Sequence, residues 1–468
     1  MSSCCWPCST WWSSRSAKET VAKISPETAS QKSALVPPPP PVEVERQSLS
    51  RNQQKKLAVR EARREKKEQR KAQRQTDALG ATVLQLGEVI EAWMRRPCSS
   101  VEELQACLKE GFGVACGYAD LPQAFGPNAS VGTEVLGTAV RRPDKYSAKF
   151  LPQEYSLIHK VWTLLDGCFE DAGVIDVGAG NACCAVLLAS LFGVTVICVE
   201  RESPRVELRA EMQMPVEHRQ RVIRLESDVE DFGNEQLENA AKAAGVRRLV
   251  LLAKHPCGIG ADRTIDCAAR LLEPSSKDVK HGATEILGLV MATCCTNKLC
   301  LDDYHTAHIA EFCNFYCGSQ SLTPSDACLA EASQPSDLNA AVEMMSRCSA
   351  WRTASGSRGS AHCAEQVELA EHFEDALQAM RLRRLRRLFG DATQVRFAPR
   401  ECTLQDRCLI ATRRSLPDLV SEVSAEKFIS SLSSAADALR SAGGPIDCRP
   451  KGLKSTKYDF DYTADLPE

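Results

Sequence analysis

The stretch "VIDVGAGNACCAVLL", from Val174 to Leu188, joins two apolar runs through a Gly-Ala-Gly turn. The first run is short and rich in β-branched residues, which predicts a buried strand, and the second predicts a helix. Glycines at such a turn let a ligand approach the backbone closely, because they carry no side chain. The stretch therefore predicts a ligand-binding turn at the carboxyl end of a buried strand.

Apolar and helical runs alternate on both sides of this turn. We predict strands at 173–177, 194–200, 221–228, 248–254 and 286–295, and helices at 182–192, 234–244, 261–272 and 303–316. Two later strands, at 394–399 and 407–414, are separated by a short turn-like segment. Because strand–helix alternation builds a parallel sheet covered on both faces, we expect an α/β fold with a seven-stranded, mostly parallel sheet. This is the strand pattern of class I, Rossmann-like methyltransferases.

The first three predicted strands carry acidic residues at their carboxyl ends, where ligands of open α/β sheets bind. Asp176 precedes Gly178 and Gly180, Glu200 ends the second strand and Asp228 ends the third. Asp176 suits the amino group of a methionine moiety, Glu200 suits ribose hydroxyls, and Asp228 suits an adenine amino group. We therefore predict S-adenosyl-L-methionine as the cofactor, bound by these five residues.

Two alternatives remain for the glycine turn. A dinucleotide-binding fold has the same acid after its second strand, but the third glycine of its fingerprint would fall at position 183, which is Cys. The turn could also have no ligand at all. The glycine pattern favours the methyl donor over both alternatives.

The fourth and fifth predicted strands end in two unusual segments, "AKHPCGIGAD" at Ala253–Asp262 and "ATCCTNKLC" at Ala292–Cys300. A methyl acceptor would lie at these ends. Lys254 offers a cation and His255 an imidazole, so we predict that both are catalytic; the sequence does not decide which is the base.

Four further residues of these two segments are predicted to line the substrate pocket. Paired cysteines after a strand are more often part of a core, and a single histidine is more often structural. Their joint occurrence at two adjacent strand ends favours a site instead. The predicted pocket residues are Cys257, Asp262, Cys294 and Cys295.

A strongly basic segment lies far upstream of the predicted sheet. Residues 51–75 carry a local charge of +8 in a chain whose net charge is −3, and "PPPPP" at 37–41 precedes them as an extended linker. This composition predicts a basic helical arm that binds RNA phosphates; a solvated helix or a localisation signal is the alternative. The candidate RNA-binding residues are Lys55, Lys56, Arg60, Arg63 and Arg64. The Arg-rich stretch at 380–389 is a second candidate surface.

The composition suggests five regions and an intracellular protein of the nucleus or cytoplasm. The 23 cysteines are scattered, often adjacent and in apolar runs, which favours reduced thiols over a disulfide framework. We expect no metal site, no membrane span and no secretory signal. The predicted regions are a disordered tail (1–42), the basic helical arm (43–78), a helical region (80–145), a methyltransferase domain (146–415) and a C-terminal helix and tail (416–468).

Residues 145–412 resemble the Trm13 family of tRNA 2′-O-methyltransferases. The resemblance rests on "DVGAG", "VERE", "AKHPCGIGAD" and "ATCCTNKLC", with "KFLPQEYSLI" (149–158) upstream and "SRCSAW" (346–351) downstream. It implies methylation of a ribose 2′-hydroxyl at position 4 of the tRNA acceptor stem. The chain departs from the family by having Thr296-Asn297 where histidine is usual, and by lacking Cys/His-rich zinc modules in 80–145.

Three functions remain open from the sequence. The first is the tRNA ribose methyltransferase that the resemblance implies. The second is a related class I methyltransferase that acts on another RNA or on a protein. The third is a non-catalytic, RNA-binding scaffold with a methyltransferase-like fold. The presence of Asp176, Gly178, Gly180, Glu200 and Lys254 argues against a decayed site.

Overall fold

The structure is a computed structural model of the 468-residue chain, and it divides the chain into two units, residues 1–68 and 69–468. In the first unit, helical positions between 58 and 68 are described. The described residues are scattered positions between 58 and 80, together with 100–112, 121–125, 128–142, 144–273, 284–293, 295–299, 335–352, 364–414, 422–442 and 444–447.

In this part of the chain, the helices are α1 Val101–Phe112, α2 Ala129–Ala139, α3 Asp144–Leu164, α4 Cys183–Phe192, α5 Val216–Arg219, α6 Asn234–Ala244, α7 Gly260–Leu272, α8 Pro335–Ser349, α9 Ala364–Phe389 and α10 Glu422–Ala442. The strands are β1 Val140–Arg141, β2 Ala172–Val177, β3 Thr195–Glu200, β4 Val222–Glu226, β5 Arg248–Ala253, β6 Glu285–Ala292, β7 Asp391–Arg396, β8 Arg407–Thr412 and β9 Ile446–Asp447.

Seven of the strands form one mixed sheet in the order β4-β3-β2-β5-β6-β8-β7. The strands from β4 to β6 pair in parallel, and β8 pairs antiparallel to both β6 and β7. The predicted α/β fold with seven strands is confirmed. Because β2 lies between β3 and β5, the carboxyl ends of β2, β3 and β5 meet at one edge of the sheet.

Both faces of the sheet are covered, which explains why its strands read as apolar runs. Side chains alternate along a strand, so Val174 packs into the core on one face while Ile175 packs into the core on the other. Asp176 shares the face of Val174, where α3 and α4 lie. The buried carboxylate of Asp176 therefore points toward the layer formed by α3 and α4, and the glycine turn leads into α4.

Two helices outside the predicted methyltransferase domain, α2 and α10, belong to the same core as the sheet. The Phe428 ring of α10 stacks on His159 of α3, with 4.8 Å between ring centroids, and Gly132 of α2 lies against the Tyr155 ring. A Cβ at Gly132 would overlap that ring, so glycine allows α2 and α3 to pack closely. Residues of α2, α3 and α10 therefore share one hydrophobic core.

Several strand ends differ from the sequence prediction, and β7 spans Asp391–Arg396 where 394–399 was predicted. β4 ends at Glu226, two residues before Asp228, and β6 ends at Ala292, where the prediction extended to 295. A 3₁₀ turn at Thr296–Lys298 follows β6 and ends the ladder. The predicted helix at 303–316 lies outside the described residues. No helix in the described ranges is long and apolar enough to cross a membrane.

Candidate active site

The glycine turn after β2 has a backbone that favours glycine. Gly178 and Gly180 have φ angles of +66° and +51°, in the left-handed region that side chains disfavour. The N–H of Gly178 donates a hydrogen bond of 2.9 Å to the Val199 carbonyl of β3. A Cβ placed on either glycine would meet no atom within 4 Å. The turn therefore presents open space beside an ordered backbone, as a ligand site requires.

Three side chains fix the shape of this turn. Glu200 Oε2 accepts a 2.8 Å hydrogen bond from the Gly180 N–H, and Arg224 Nη1 donates to the Gly180 carbonyl at 3.0 Å. Glu211 holds the Arg224 guanidinium through two hydrogen bonds of 2.8 and 3.1 Å. Sequence reasoning missed Arg224 and Glu211. The arginine in the apolar run of β4 was the available signal, because a buried guanidinium needs a partner.

Asp176 lies behind the turn and is 3% exposed. Burial raises the pKa of its carboxyl from 3.8 to about 7, although the charges of Lys254 and Arg224 lower it. A buried carboxylate with a raised pKa gains from the arrival of a cation, because the cation replaces the lost hydration. The geometry therefore suits a positively charged ligand group at this point.

Asp228, the predicted adenine contact, lies in the loop after β4 and is half-buried. Its Oδ1 accepts a 3.1 Å hydrogen bond from the N–H of Glu230, and its Oδ2 is 4.0 Å from the Arg201 guanidinium. The first contact closes a local turn of the Asx type. The Asp228 carboxylate thus stabilises the loop in which it lies, and its contact with a cofactor stays a prediction.

Lys254 lies just beyond β5, next to the glycine turn in the sheet order. Its Nζ donates a 2.9 Å hydrogen bond to Glu154 Oε1 of α3 and lies 4.9 Å from the centre of the Phe150 ring. The other oxygen of Glu154 accepts from Arg142 Nη1 at 2.6 Å. Glu154 was missed in the sequence, because it lies 100 residues from its lysine partner.

The two predicted catalytic groups have opposite protonation tendencies. Burial is the largest single effect and lowers the pKa of Lys254, but the charge and hydrogen bond of Glu154, with smaller effects of Cys184 and Cys183, together raise that pKa above its usual value. Desolvation by surrounding protein atoms, and then the charge of Lys254, lower the pKa of His255 to about 4, although its ring reaches the surface. At neutral pH, Lys254 is therefore an ammonium and His255 a neutral imidazole.

The loops after β5 and β6 touch through their cysteines. The Sγ atoms of Cys257 and Cys295 are 3.1 Å apart, and the Gly258 N–H donates a 3.2 Å hydrogen bond to the Cys295 carbonyl. Gly258 has a φ of +59° and would carry a Cβ into the backbone of Lys298. The two loops thus form one wall beside Lys254. Cys294 lies outside the described residues.

Asp262, predicted in the substrate pocket, is instead enclosed in the protein. It is 1% exposed and accepts hydrogen bonds of 3.0 and 2.7 Å from the Arg381 guanidinium of α9. A carboxylate paired in this way stabilises the packing of α7 on α9 and does not line open space. The Arg-rich stretch 380–389 packs in part, since Arg384 pairs with Asp266 and Leu382 and Leu385 are buried, while Arg386 and Arg387 are exposed.

The loop after β6 is anchored by a buried polar network that the sequence did not predict. Ser346 Oγ donates to the Thr296 carbonyl at 2.8 Å, and Thr296 Oγ1 donates to Glu374 at 3.2 Å. Arg352 pairs with both Glu374 and Asp406. Ser346 belongs to the "SRCSAW" segment, so the signal lay in that motif, and the network fixes the loop against α8 and α9.

Of the five predicted RNA-binding residues, Arg64 alone falls within the described part of the chain. It is helical and exposed, and its guanidinium pairs with Glu68 at 3.0 Å. Lys55, Lys56, Arg60 and Arg63 lie outside that part. The described residues hold no group of three or more side chains that could bind a metal ion.

An open glycine turn, a buried carboxylate and a paired lysine meet at the carboxyl edge of an α/β sheet, the edge at which open α/β sheets bind their ligands. The chain belongs to the methyltransferase TRM13 family, whose model matches residues 153–412. The resemblance seen over 145–412 is thereby confirmed, and the class is that of a transferase. No curated protein matches the chain, and no solved structure matches it.

Proposed function

We propose that this protein is an S-adenosylmethionine-dependent tRNA methyltransferase that methylates a ribose 2′-hydroxyl of the acceptor stem, at position 4. The observation that carries the proposal is the placement of Asp176 and Lys254 on two adjacent strand ends beside the open Gly178–Gly180 turn. The sheet order, with five parallel strands followed by a reversed strand inserted before the last, supports a class I fold.

The residues at this edge fit the methyl donor. Asp176 would hold the amino group of its methionine moiety, because a buried carboxylate favours a cation. The open glycine turn leaves room for a ligand that contacts its backbone. Glu200 and Asp228 offer carboxylates that can accept hydrogen bonds from hydroxyl and amino groups. Glu200 already holds Gly180 with one oxygen, so a single side chain would link the turn and the ligand.

S-adenosylmethionine, when bound, supplies an electrophilic methyl group. The 2′-hydroxyl is a weak nucleophile, because its pKa lies far above neutral. The Lys254 ammonium stabilises negative charge as the hydroxyl oxygen loses its proton. His255 is neutral and can accept that proton, but a group with a pKa near 4 is a weak base. We therefore assign the larger contribution to catalysis to the positive charge of Lys254.

A transfer assay tests the function. Purified protein is incubated with unmodified tRNA and methyl-labelled S-adenosylmethionine, and the digested tRNA is analysed by mass spectrometry. We expect a 2′-O-methylated nucleotide at acceptor position 4, and no label when that nucleotide carries a 2′-deoxyribose. Label on protein, or on a base, would contradict the proposal, and an absence of label would favour the scaffold.

Gly180→Ala is expected to weaken S-adenosylmethionine binding at least about tenfold, because its methyl group fills the open side of the turn. The positive φ costs about 1 kcal/mol of folding stability. Gly245→Ala is the matched control, since Gly245 has a φ of +69° and also meets nothing within 4 Å, but caps α6. Calorimetry should separate the two variants, whereas equal affinities would remove the turn from the cofactor site.

The basic arm is expected to bind phosphates. Substituting Gln for Lys55, Lys56, Arg60, Arg63 and Arg64 in the full chain should weaken tRNA binding and flatten its salt dependence, by about 0.9 in logarithmic slope for each phosphate that is no longer neutralised. The affinity for S-adenosylmethionine should not change. A wild-type salt slope in the variant would assign the arm to another role, such as localisation.

A further inference from the structure

Glu154 connects two cations inside the protein. It lies on α3, is 1% exposed, and bonds Lys254 with Oε1 at 2.9 Å and Arg142 with Oε2 at 2.6 Å. Both partners come from other elements, since Arg142 follows β1 and Lys254 follows β5. The three side chains carry a net charge of +1, next to the edge where the methyl acceptor would lie.

Arg142 decides where the proton of the buried Lys–Glu pair resides. In a low dielectric, such a pair can neutralise itself by moving a proton from lysine to carboxylate. A guanidinium cannot release its proton, so Arg142 stays charged and favours the ionised form of Glu154. The pKa of Glu154 is accordingly lowered despite burial, through Lys254 and then Arg142. The proton therefore stays on Lys254.

We propose that Glu154 is a positioning residue, which holds the Lys254 side chain as an ammonium and directs it at the methyl-acceptor edge. The role in methyl transfer rests on the proposed function, whereas the control of the lysine proton does not. An ammonium has three N–H donors, so Lys254 can donate to Glu154 and to a substrate oxygen together. The Phe150 ring at 4.9 Å flanks the ammonium and restricts its direction.

Other charged or titratable groups also act on Lys254, and none of them replaces Glu154. Cys184 is buried and Cys183 is half-buried, and desolvation raises the pKa of both thiols, so they are neutral at pH 7. The groups that interact with Lys254, or with the charged groups next to it, include Glu154 and Lys149 on α3, Arg142 after β1, Asp176 on β2, Glu200 on β3, Arg224 on β4, Cys183 and Cys184 on α4, and His255 and Cys257 after β5.

The direct test measures the proton on Lys254 without any activity. Wild type and Glu154→Gln are labelled briefly with acetic anhydride between pH 6 and 11, and the peptide that carries Lys254 is quantified by mass spectrometry. Only the neutral amine reacts, so the midpoint reports its pKa. We expect Glu154→Gln to move the midpoint about 1–3 pH units toward acid. Superimposable profiles would overturn the proposal, whatever the enzyme does.

Turnover supplies the second readout. In Glu154→Gln, the alkaline limb of the kcat profile should move to lower pH by the same amount, with little change in the affinity for S-adenosylmethionine. Glu154→Asp keeps the charge and should restore the limb. In a Lys254→Arg background, Glu154→Gln should move no limb, because guanidinium stays charged. A lower kcat with an unmoved limb would assign Glu154 a merely structural role.

Asp266→Asn is the matched control for losing a carboxylate from a helix–helix ion pair. Asp266 of α7 pairs with Arg384 of α9, away from Lys254. We expect this variant to keep both the labelling midpoint and the alkaline limb. Movement of either in Asp266→Asn would mean that general loosening, and not Glu154, controls the lysine.

Discussion

Asp176→Asn is expected to bind S-adenosylmethionine about 10–150-fold more weakly than the wild type and to be the more stable protein. The loss of S-adenosylmethionine affinity corresponds to one charge-assisted hydrogen bond, worth about 1.5–3 kcal/mol. The gain in stability arises because the buried Asp176 carboxylate opposes folding, since burial raises its pKa from 3.8 to about 7. Asparagine occupies nearly the same volume without a charge.

The pH dependence of this stability has a definite sign. The folded state holds the proton of Asp176 more tightly than the unfolded chain, so its contribution to stability is largest below pH 4 and falls as the pH rises to about 7. At about 1.4 kcal/mol per pKa unit, the upper limit of that fall is about 4 kcal/mol. Urea unfolding at pH 5 and pH 8 should show a smaller decrease in Asp176→Asn than in the wild type.

Ligand affinity should show the opposite dependence on pH. The ionised form of Asp176 binds the amino group, so S-adenosylmethionine affinity should rise about tenfold per pH unit below pH 7 and level off above it. Asp176→Asn should remove this rise. Calorimetry at pH 6, 7 and 8 measures both effects, and a wild-type affinity that is flat over this range would exclude Asp176 from the amino-group contact.

The sheet and the glycine turn could be predicted because their causes are local. A strand buried on both faces needs an almost unbroken apolar run, as in β5 and β6, and a positive φ favours glycine, as at Gly178. The end of β6 was predicted too late, because apolar Cys294 and Cys295 extend the pattern past the residue where pairing stops. Strand ends depend on the following turn, which the apolar pattern does not encode.

The ion pairs of the site could not be predicted, because each joins distant segments. Glu154 and Lys254 are 100 residues apart, and Asp262 and Arg381 are 119 apart. A charged residue in a motif indicates that it has a partner or a ligand, and only the fold distinguishes the two. Asp262 turned out to have a structural partner in Arg381, whereas Lys254 has a partner and also lies beside the open turn.

Lys254→Ala is expected to lower kcat by at least about 100- to 1000-fold, the usual effect of removing one group that stabilises developing negative charge. The affinity for S-adenosylmethionine should change little, because Asp176 and the glycine turn remain. Arg142 still pairs with Glu154 at 2.6 Å, so the buried carboxylate keeps one cation and the fold should persist. Single-turnover methylation of tRNA measures the effect on the chemical step.

Lys254→Arg then distinguishes a cation from a base. Guanidinium stays charged and cannot accept a proton, so this variant should keep much more activity than Lys254→Ala if the charge is what matters. An inactive Lys254→Arg with normal cofactor affinity would favour lysine as the base. His255→Ala should lose less than Lys254→Ala, because an imidazole with a pKa near 4 takes little of the proton in the transition state. If Lys254→Ala methylates tRNA at the wild-type rate, alignment of the hydroxyl or His255 must supply the catalysis instead.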